Sequence, residues 1–282
     1  MWSNFHAHSN YCDGKSELTD YVRTARENEV FSLGFSSHAP LPFSNPWCMK
    51  PGVLDNYIDL IHLLKINSPM EIYSGLEVDF IPGLTGPKKF SNQLDYTIGS
   101  IHFVDELPDG TRWEIDGTHA FFIEGYEKIF KKQIRHVLAR YFELTREMLM
   151  SSCPTILGHL DKIKIQNRDD SFFDENDSWY QQEVRQTIDV CASVGAIIEV
   201  NTRGLYQKKS RTPYPSPWAL DYIRQQNIPI TLSSDAHHAD DIVNQFPETA
   251  AILKTIGFKS ITILHEGKWK PFSFNENGII LP

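Results

Sequence analysis

Short apolar, β-rich runs alternate with longer helix-patterned segments from one end of the chain to the other. The runs Trp2–His8, Val30–Ser37, Glu71–Val78, Tyr96–Phe103, Thr155–Leu160, Ala196–Asn201, Ile228–Ser234 and Ser260–Leu264 have the length and residue types of strands. Between them, Ser16 is placed to cap a helix reaching Asn28, and Pro51 to open one over Val53–Leu64. Ala120–Met150 reads as one long helix and Trp179–Ser193 as a helix stopped by Gly195. Pro217–Gln225 and Asp241–Ile256 complete the series, the second interrupted by Pro247 and ended by Gly257. Strand and helix alternating seven or eight times imply parallel strands joined by right-handed crossovers.

The polar residues decide between an open sheet and a barrel, because they gather at the ends of the expected strands. His6 and His8 end the first strand, two apart and so on one face. His38 follows the second, Glu77 ends the third, His102 the fourth and His159 the fifth. Asp235 and His237 end the seventh, again two apart, and Asp13 lies just past the first. Any one of these would be read as a structural residue. Together, six histidines and three carboxylates at the carboxyl ends of successive strands converge only if the sheet curls into a barrel, whose mouth carries the chemistry. We therefore expect a distorted α/β barrel over residues 1–282, as one domain. Imidazole and carboxylate without thiolate suit zinc, manganese or iron, and nine candidate ligands are enough for two or three divalent ions.

Composition narrows the partners. The chain has 282 residues and a net charge of −9, which disfavours a general nucleic-acid binder needing a basic face. It leaves room for an anionic small molecule, because bound cations dominate the field of one pocket. The first residues lack a basic start followed by an apolar run, and no apolar stretch is long enough to span a bilayer. A cytoplasmic protein is expected, with Cys12, Cys48, Cys153 and Cys191 as reduced thiols.

These motifs resemble a known family. His6-Ala7-His8-Ser9 with Asp13-Gly14, then His38, Gly75-Leu76-Glu77, Gly99-Ser100-Ile101-His102, Gly158-His159 and Ser234-Asp235-Ala236-His237 are similar, in order and spacing, to those of the PHP (polymerase and histidinol phosphatase) superfamily. The resemblance runs from residue 6 to about 272 and implies a distorted barrel of seven β/α units, of a kind that commonly holds three divalent ions. The segment from Asp105 to Gly117 after His102, and Gly158-His159-Leu160-Asp161-Lys162 with the later Glu199-Val200-Asn201-Thr202-Arg203-Gly204, resemble the histidinol-phosphate phosphatase branch. It implies that His6, His8 and Asp235 hold one ion, with Glu77 bridging to a second held by His102 and His159. Asp13, His38 and His237 would hold a third.

The chemistry implied is hydrolysis of L-histidinol phosphate in histidine biosynthesis by a metal-bridging hydroxide, with Glu77 and Asp235 central to it. Arg203 is either a phosphate clamp or a supporting surface residue. Asp161 could face the cationic end of the substrate, protonate the leaving alkoxide, or orient His159. Lys162, Lys164, Arg168, Lys208, Lys209 and Arg211 read as a solvated charge run, and His62, His119, His136, His238 and His265 as structural. The rival readings are a phosphodiesterase or exonuclease on the same fold, an amidohydrolase-type barrel, and a metal-binding module without activity.

Overall fold

The computed structural model describes residues 1–281. Its strands are β1 (Trp2–Asn4), β2 (Val30–Phe35), β3 (Glu71–Asp79), β4 (Tyr96–Ser100), β5 (Phe103–Glu106) and β6 (Arg112–Glu114). They continue as β7 (Ile156–Leu157), β8 (Ile197–Asn201), β9 (Ile230–Ser233), β10 (Ser260–His265), β11 (Lys268–Asn275) and β12 (Gly278–Ile280). The helices are α1 (Leu18–Glu27), α2 (Leu54–Ile66), α3 (His119–Lys128), α4 (Ile134–Ser151), α5 (Ser178–Val194), α6 (Arg203–Tyr206), α7 (Pro217–Gln225) and α8 (Phe246–Ile256).

Seven strands form one parallel sheet in the order β1-β2-β3-β4-β7-β8-β9. No ladder joins β9 to β1. Instead the two approach just past their ends, where Ala7 bridges Ala236, His8 N donates to Ala236 O at 2.8 Å and Ala236 N to His6 O at 3.1 Å. The sheet is thus a nearly closed barrel whose seam runs through two of the histidine motifs. The Tyr21 hydroxyl, from α1, donates to the carbonyls of His8 and Ala236 at 2.8 and 3.0 Å and ties the seam from outside.

Tyr96 fills the barrel floor, donating to Phe5 O at 2.7 Å and Phe35 O at 3.1 Å. Gly34 and Gly75 flank it because a side-chain carbon at either position would collide with its ring. Below, Trp269 of β11 packs edge-on to Phe5 at 5.0 Å and to Tyr96 at 6.0 Å. The apolar core divides around this axis, one part beneath α4, α5, α7 and α8, the other beneath α1 and α2. Among the described residues no helix is long and apolar enough to cross a membrane.

Several expected elements differ. Ser260–Leu264 is a strand but lies outside the barrel, because the two-residue turn Glu266-Gly267, with φ of 51° and 70°, folds β11 back on it as an antiparallel hairpin. The expected long helix is two, α3 and α4, since Lys131 and Lys132 at φ of 50° and 63° cannot continue a helix. Ser16 does not cap α1: its hydroxyl accepts from Ala239 N at 3.0 Å, while Glu17 N donates to Asp20 Oδ2 at 3.2 Å. Pro51 sits in the turn before α2 rather than in its first turn. The stops at Gly195 and Gly257 hold, both glycines being left-handed.

Candidate metal centre

His6 and His8 leave β1 in an extended stretch, and Asp235 and His237 leave β9 beside it. The Ala7–Ala236 bridge lies between the pairs, so alternation turns all four side chains to the barrel mouth. Asp235 takes φ of 52°, a left-handed backbone unusual for aspartate and a common sign of a functional constraint. A second bridge, His38 to Glu77, lines up β2 and β3 at the same level. Gly14 lets the loop after His8 double back, since a Cβ there would run into the His8 carbonyl; Asp13 is thereby brought over the mouth.

Glu77 is the hub, almost fully buried. Its Oε2 lies 3.2 Å from His6 Nε2, 3.3 Å from His8 Nε2 and 3.1 Å from His38 Nδ1. Its Oε1 lies 2.8 Å from His159 Nε2 and 3.6 Å from His102 Nε2. Asp235 Oδ1 lies 3.2 Å from His8 Nε2, and Asp13 Oδ2 lies 3.2 Å from His237 Nε2. Two ligands about 2.1 Å from one ion sit roughly 3–4 Å apart, which is this spacing. His6 Nε2, His8 Nε2, His38 Nδ1 and Asp13 Oδ1 are buried with no hydrogen-bond partner, as expected of atoms whose lone pairs serve a cation. Three groups are compact enough to share an ion: His8, Asp13, His38 and His237; His6, His8 and Asp235; and His38, Glu77 and His102. Eight of the nine expected ligands fall in these groups, and His159 joins the cluster through Glu77 Oε1, at 2.8 Å; the residues fit a multinuclear divalent-metal centre. These groups cut across the expected partition, because His8 and His38 each belong to two of them.

The cluster polarises its own members. Burial alone would lower the His6 pKa, but the Glu199, Asp235 and Glu77 carboxylates raise it to about 10. His102 behaves alike: against burial, Asp79 and Asp116 lift it to about 9. His237 falls to about 4 through burial and the positive His8 and Arg203. Burial would push Glu77 and Asp235 up, yet the surrounding cations, His6 foremost, hold both well below the usual carboxylate range.

Around the nine lie residues that sequence reading passed over. Glu199 Oε1 meets His6 Nδ1 at 2.5 Å, and its Oε2 accepts from His159 N at 2.8 Å. Asp79 Oδ1 meets His102 Nδ1 at 3.0 Å. Both carboxylates are buried and orient the imidazoles they touch. A cavity of about 270 Å³ opens above the cluster, lined by His38, His102, His237, Asp13, Arg203 and Lys162, and by Trp47, Glu114, Asp116, Lys209 and Tyr214. Glu114 ends the β5–β6 hairpin and accepts from Trp47 Nε1 at 3.1 Å.

Arg203, left open between a phosphate clamp and a supporting surface residue, lines the cavity. Its Nη1 donates to Asp235 O at 2.6 Å and contacts His237 Nδ1. Lys162, expected in solvent, is buried: its Nζ lies 3.1 Å from Asp116 Oδ2 and 3.4 Å from His102 Nε2. Lys164 is buried too, donating to Asp161 Oδ2 at 3.0 Å and to Pro213 O at 3.0 Å. The Asp161 expectation is corrected accordingly. Its carboxylate faces Lys164 and Ser216 N, which donates to it at 3.0 Å, and it does not line the cavity. The remaining histidines stay apart: His119 meets Gln166 Oε1 at 3.0 Å, His265 meets Glu71 Oε1 at 2.8 Å, and His238 is exposed beside Asp240.

A family model of the PHP domain matches residues 4–203. The chain belongs to the PHP family. Within it, the chain is 25% identical over 267 residues to a Bacillus subtilis histidinol-phosphatase, covering 84% of this chain and 94% of that one. A Lactococcus lactis histidinol phosphate phosphatase, solved with zinc, L-histidinol and phosphate, shares the fold at a TM-score of 0.70 and 20% identity over 99% of both chains. A Listeria monocytogenes structure matches at a TM-score of 0.74 and 19% identity, over 87% of this chain and 99% of that one. The PHP barrel expected from the motifs is therefore the fold observed.

Proposed function

We propose that this PHP protein is a histidinol-phosphatase, a phosphomonoesterase that hydrolyses L-histidinol phosphate to L-histidinol and phosphate. The observation that carries this is one cavity that opens on the cluster, lined by four of the candidate ligands, Asp13, His38, His102 and His237, and by a mixed set of charges, Arg203 and Lys162 beside Glu114 and Asp116. A dianionic phosphate joined to a cationic amine and an imidazole needs both kinds of partner.

The cluster would hold two to three divalent ions, zinc among them. Bound there, such ions neutralise phosphoryl oxygens and make hydroxide available from water near neutral pH. The protein's share is positioning. The Arg203 guanidinium is braced on the Asp235 carbonyl at 2.6 Å, which leaves its remaining N–H groups for phosphoryl oxygens. Burial opposes the charge of Lys162, but Asp116, Asp235 and Glu77 outweigh it and keep the ammonium protonated beside His102. It can therefore donate to a phosphoryl or leaving-group oxygen. Glu114 and Asp116, both on the segment after His102, replace Asp161 as the groups that meet the cationic end of the substrate.

Steady-state assays on L-histidinol phosphate beside nucleotides, sugar phosphates and phenyl phosphate test this reading. Histidinol phosphate should give the highest kcat/KM. Glu114→Gln should lower that value roughly tenfold more for histidinol phosphate than for phenyl phosphate, as for loss of one charge-assisted contact. A preference for nucleotide diesters would overturn the substrate, and an unchanged ratio would remove Glu114 from recognition.

A further inference from the structure

His6 and His102 each turn the ring nitrogen away from the cluster toward a sealed carboxylate, Glu199 or Asp79. Such a contact keeps a proton on Nδ1 and leaves the Nε2 lone pair facing inward. His8 has no carboxylate in that position. Its Nδ1 faces the Cys12 sulfur at 3.6 Å, and the same thiol donates to Ser9 O at 3.4 Å. A thiol has one proton, so with that proton on Ser9 O the sulfur is left to accept from His8 Nδ1–H. The turn is set by Cys12 N donating to Ser9 O at 3.0 Å. The opposite nitrogen of His8, fully buried and without a hydrogen-bond partner, points at Asp235 Oδ1.

We propose that Cys12 is the positioning residue for His8 and a point at which covalent modification loosens the metal centre. The inference rests on reading the cluster as a metal centre. Glu199 and Asp79 are sealed from solvent, whereas Cys12 is only partly buried. Alkylation with iodoacetamide forms the S–C bond, expels iodide and passes the thiol proton to solvent. The resulting thioether has no proton for Ser9 O and adds bulk between the turn and the His8 ring.

The test is zinc retention by the zinc-loaded protein against a chromophoric chelator. Cys12→Ala should weaken zinc binding about ten- to hundredfold, the usual effect of removing a group that orients a ligand. The metal-stripped variant should melt with the metal-stripped wild type, and Cys12→Ser, which keeps a donor and an acceptor, should recover most of the affinity. In a Cys153→Ser background, which removes the exposed cysteine, iodoacetamide should release zinc in step with labelling of Cys12 by mass spectrometry. Cys12→Ala holding zinc like wild type, or Cys12-labelled protein keeping its zinc, would overturn the inference. Wild type that binds no zinc at all would instead overturn the metal-centre reading beneath it.

Discussion

A histidine can serve a metal ion only through an unprotonated nitrogen, so a ring that is doubly protonated in the metal-free cluster must give up a proton when an ion binds. His6, lifted to about 10, and His102, lifted to about 9, are both protonated near pH 7.5 in the absence of metal. Adding zinc to stripped protein at about pH 7.5 in dilute buffer should therefore release protons, countable with an indicator dye. The yield should shrink as the starting pH is raised through about 9 to 10. Zinc uptake without proton release at pH 7.5 would contradict the environment assigned to these two rings. The stability sign follows: their folded pKa values exceed the unfolded value of about 6.5, so their contribution to the stripped fold is full below that pH. It is lost as pH rises through 9 to 10. At this scale the nine candidate ligands were legible because all but Asp13, which lies in the loop after the first strand, stand at or just past the end of an apolar run, a place where a polar residue needs a reason. Glu199 carried a signal too, as a carboxylate inside the otherwise apolar Ile197–Val200, and Asp79 repeats the two-residue spacing of His6 and His8 from Glu77. The Lys162–Asp116 pair left no local trace, since it depends on how the hairpin segment folds over the mouth.

The place of Asp161 is decided at the scale of elements. An extended chain would put it on one face with His159, two residues earlier. But β7 is only Ile156–Leu157, the chain turns at Leu160–Asp161, and a 3₁₀ turn over Lys162–Gln166 follows. The alternation breaks, Lys162 swings into the cavity, and Asp161 turns to Lys164. The pair then tethers the segment carrying His159 and Lys162 to the loop before α7, through Thr212 Oγ1 at 3.0 Å and Ser216. Asp161→Ala would leave the buried Lys164 ammonium without its anion, which costs about 3–5 kcal/mol. Denaturant unfolding of the variant should show that loss. Its kcat/KM ratio between histidinol phosphate and phenyl phosphate should stay close to that of wild type. A changed ratio with intact stability would return Asp161 to substrate recognition. The other element-scale differences have the same origin. The α3–α4 break and the β10–β11 hairpin each turn on residues with left-handed backbones, Lys131 and Lys132 in one and Glu266 and Gly267 in the other. Only the glycine among them announces that conformation in the sequence.

The barrel as a whole is closed, where two neighbouring strands share no ladder, by the residues proposed to bind metal. Every other pair of neighbouring barrel strands shares a ladder, but among the described residues β9 and β1 are joined by the Ala7–Ala236 bridge and through Asn4, whose Nδ2 donates to Ser234 Oγ at 2.9 Å. His6 and His8 flank one side of that bridge, Asp235 and His237 the other. An ion shared by His6, His8 and Asp235 would therefore cross-link the seam, and its binding free energy would add to the stability of the closed form. Chelation should act unevenly. Amide exchange at His8 and Ala236, whose N–H groups make the seam bonds, should speed up severalfold in stripped protein. Amides of β3 and β4, deep in a continuous ladder, should change much less. The midpoint of thermal unfolding should drop on chelation and return with added zinc. Uniform acceleration across all strands would mean that the ions stabilise the fold only globally, and no change at His8 and Ala236 would mean that the backbone and the Tyr21 hydroxyl suffice to hold the barrel shut.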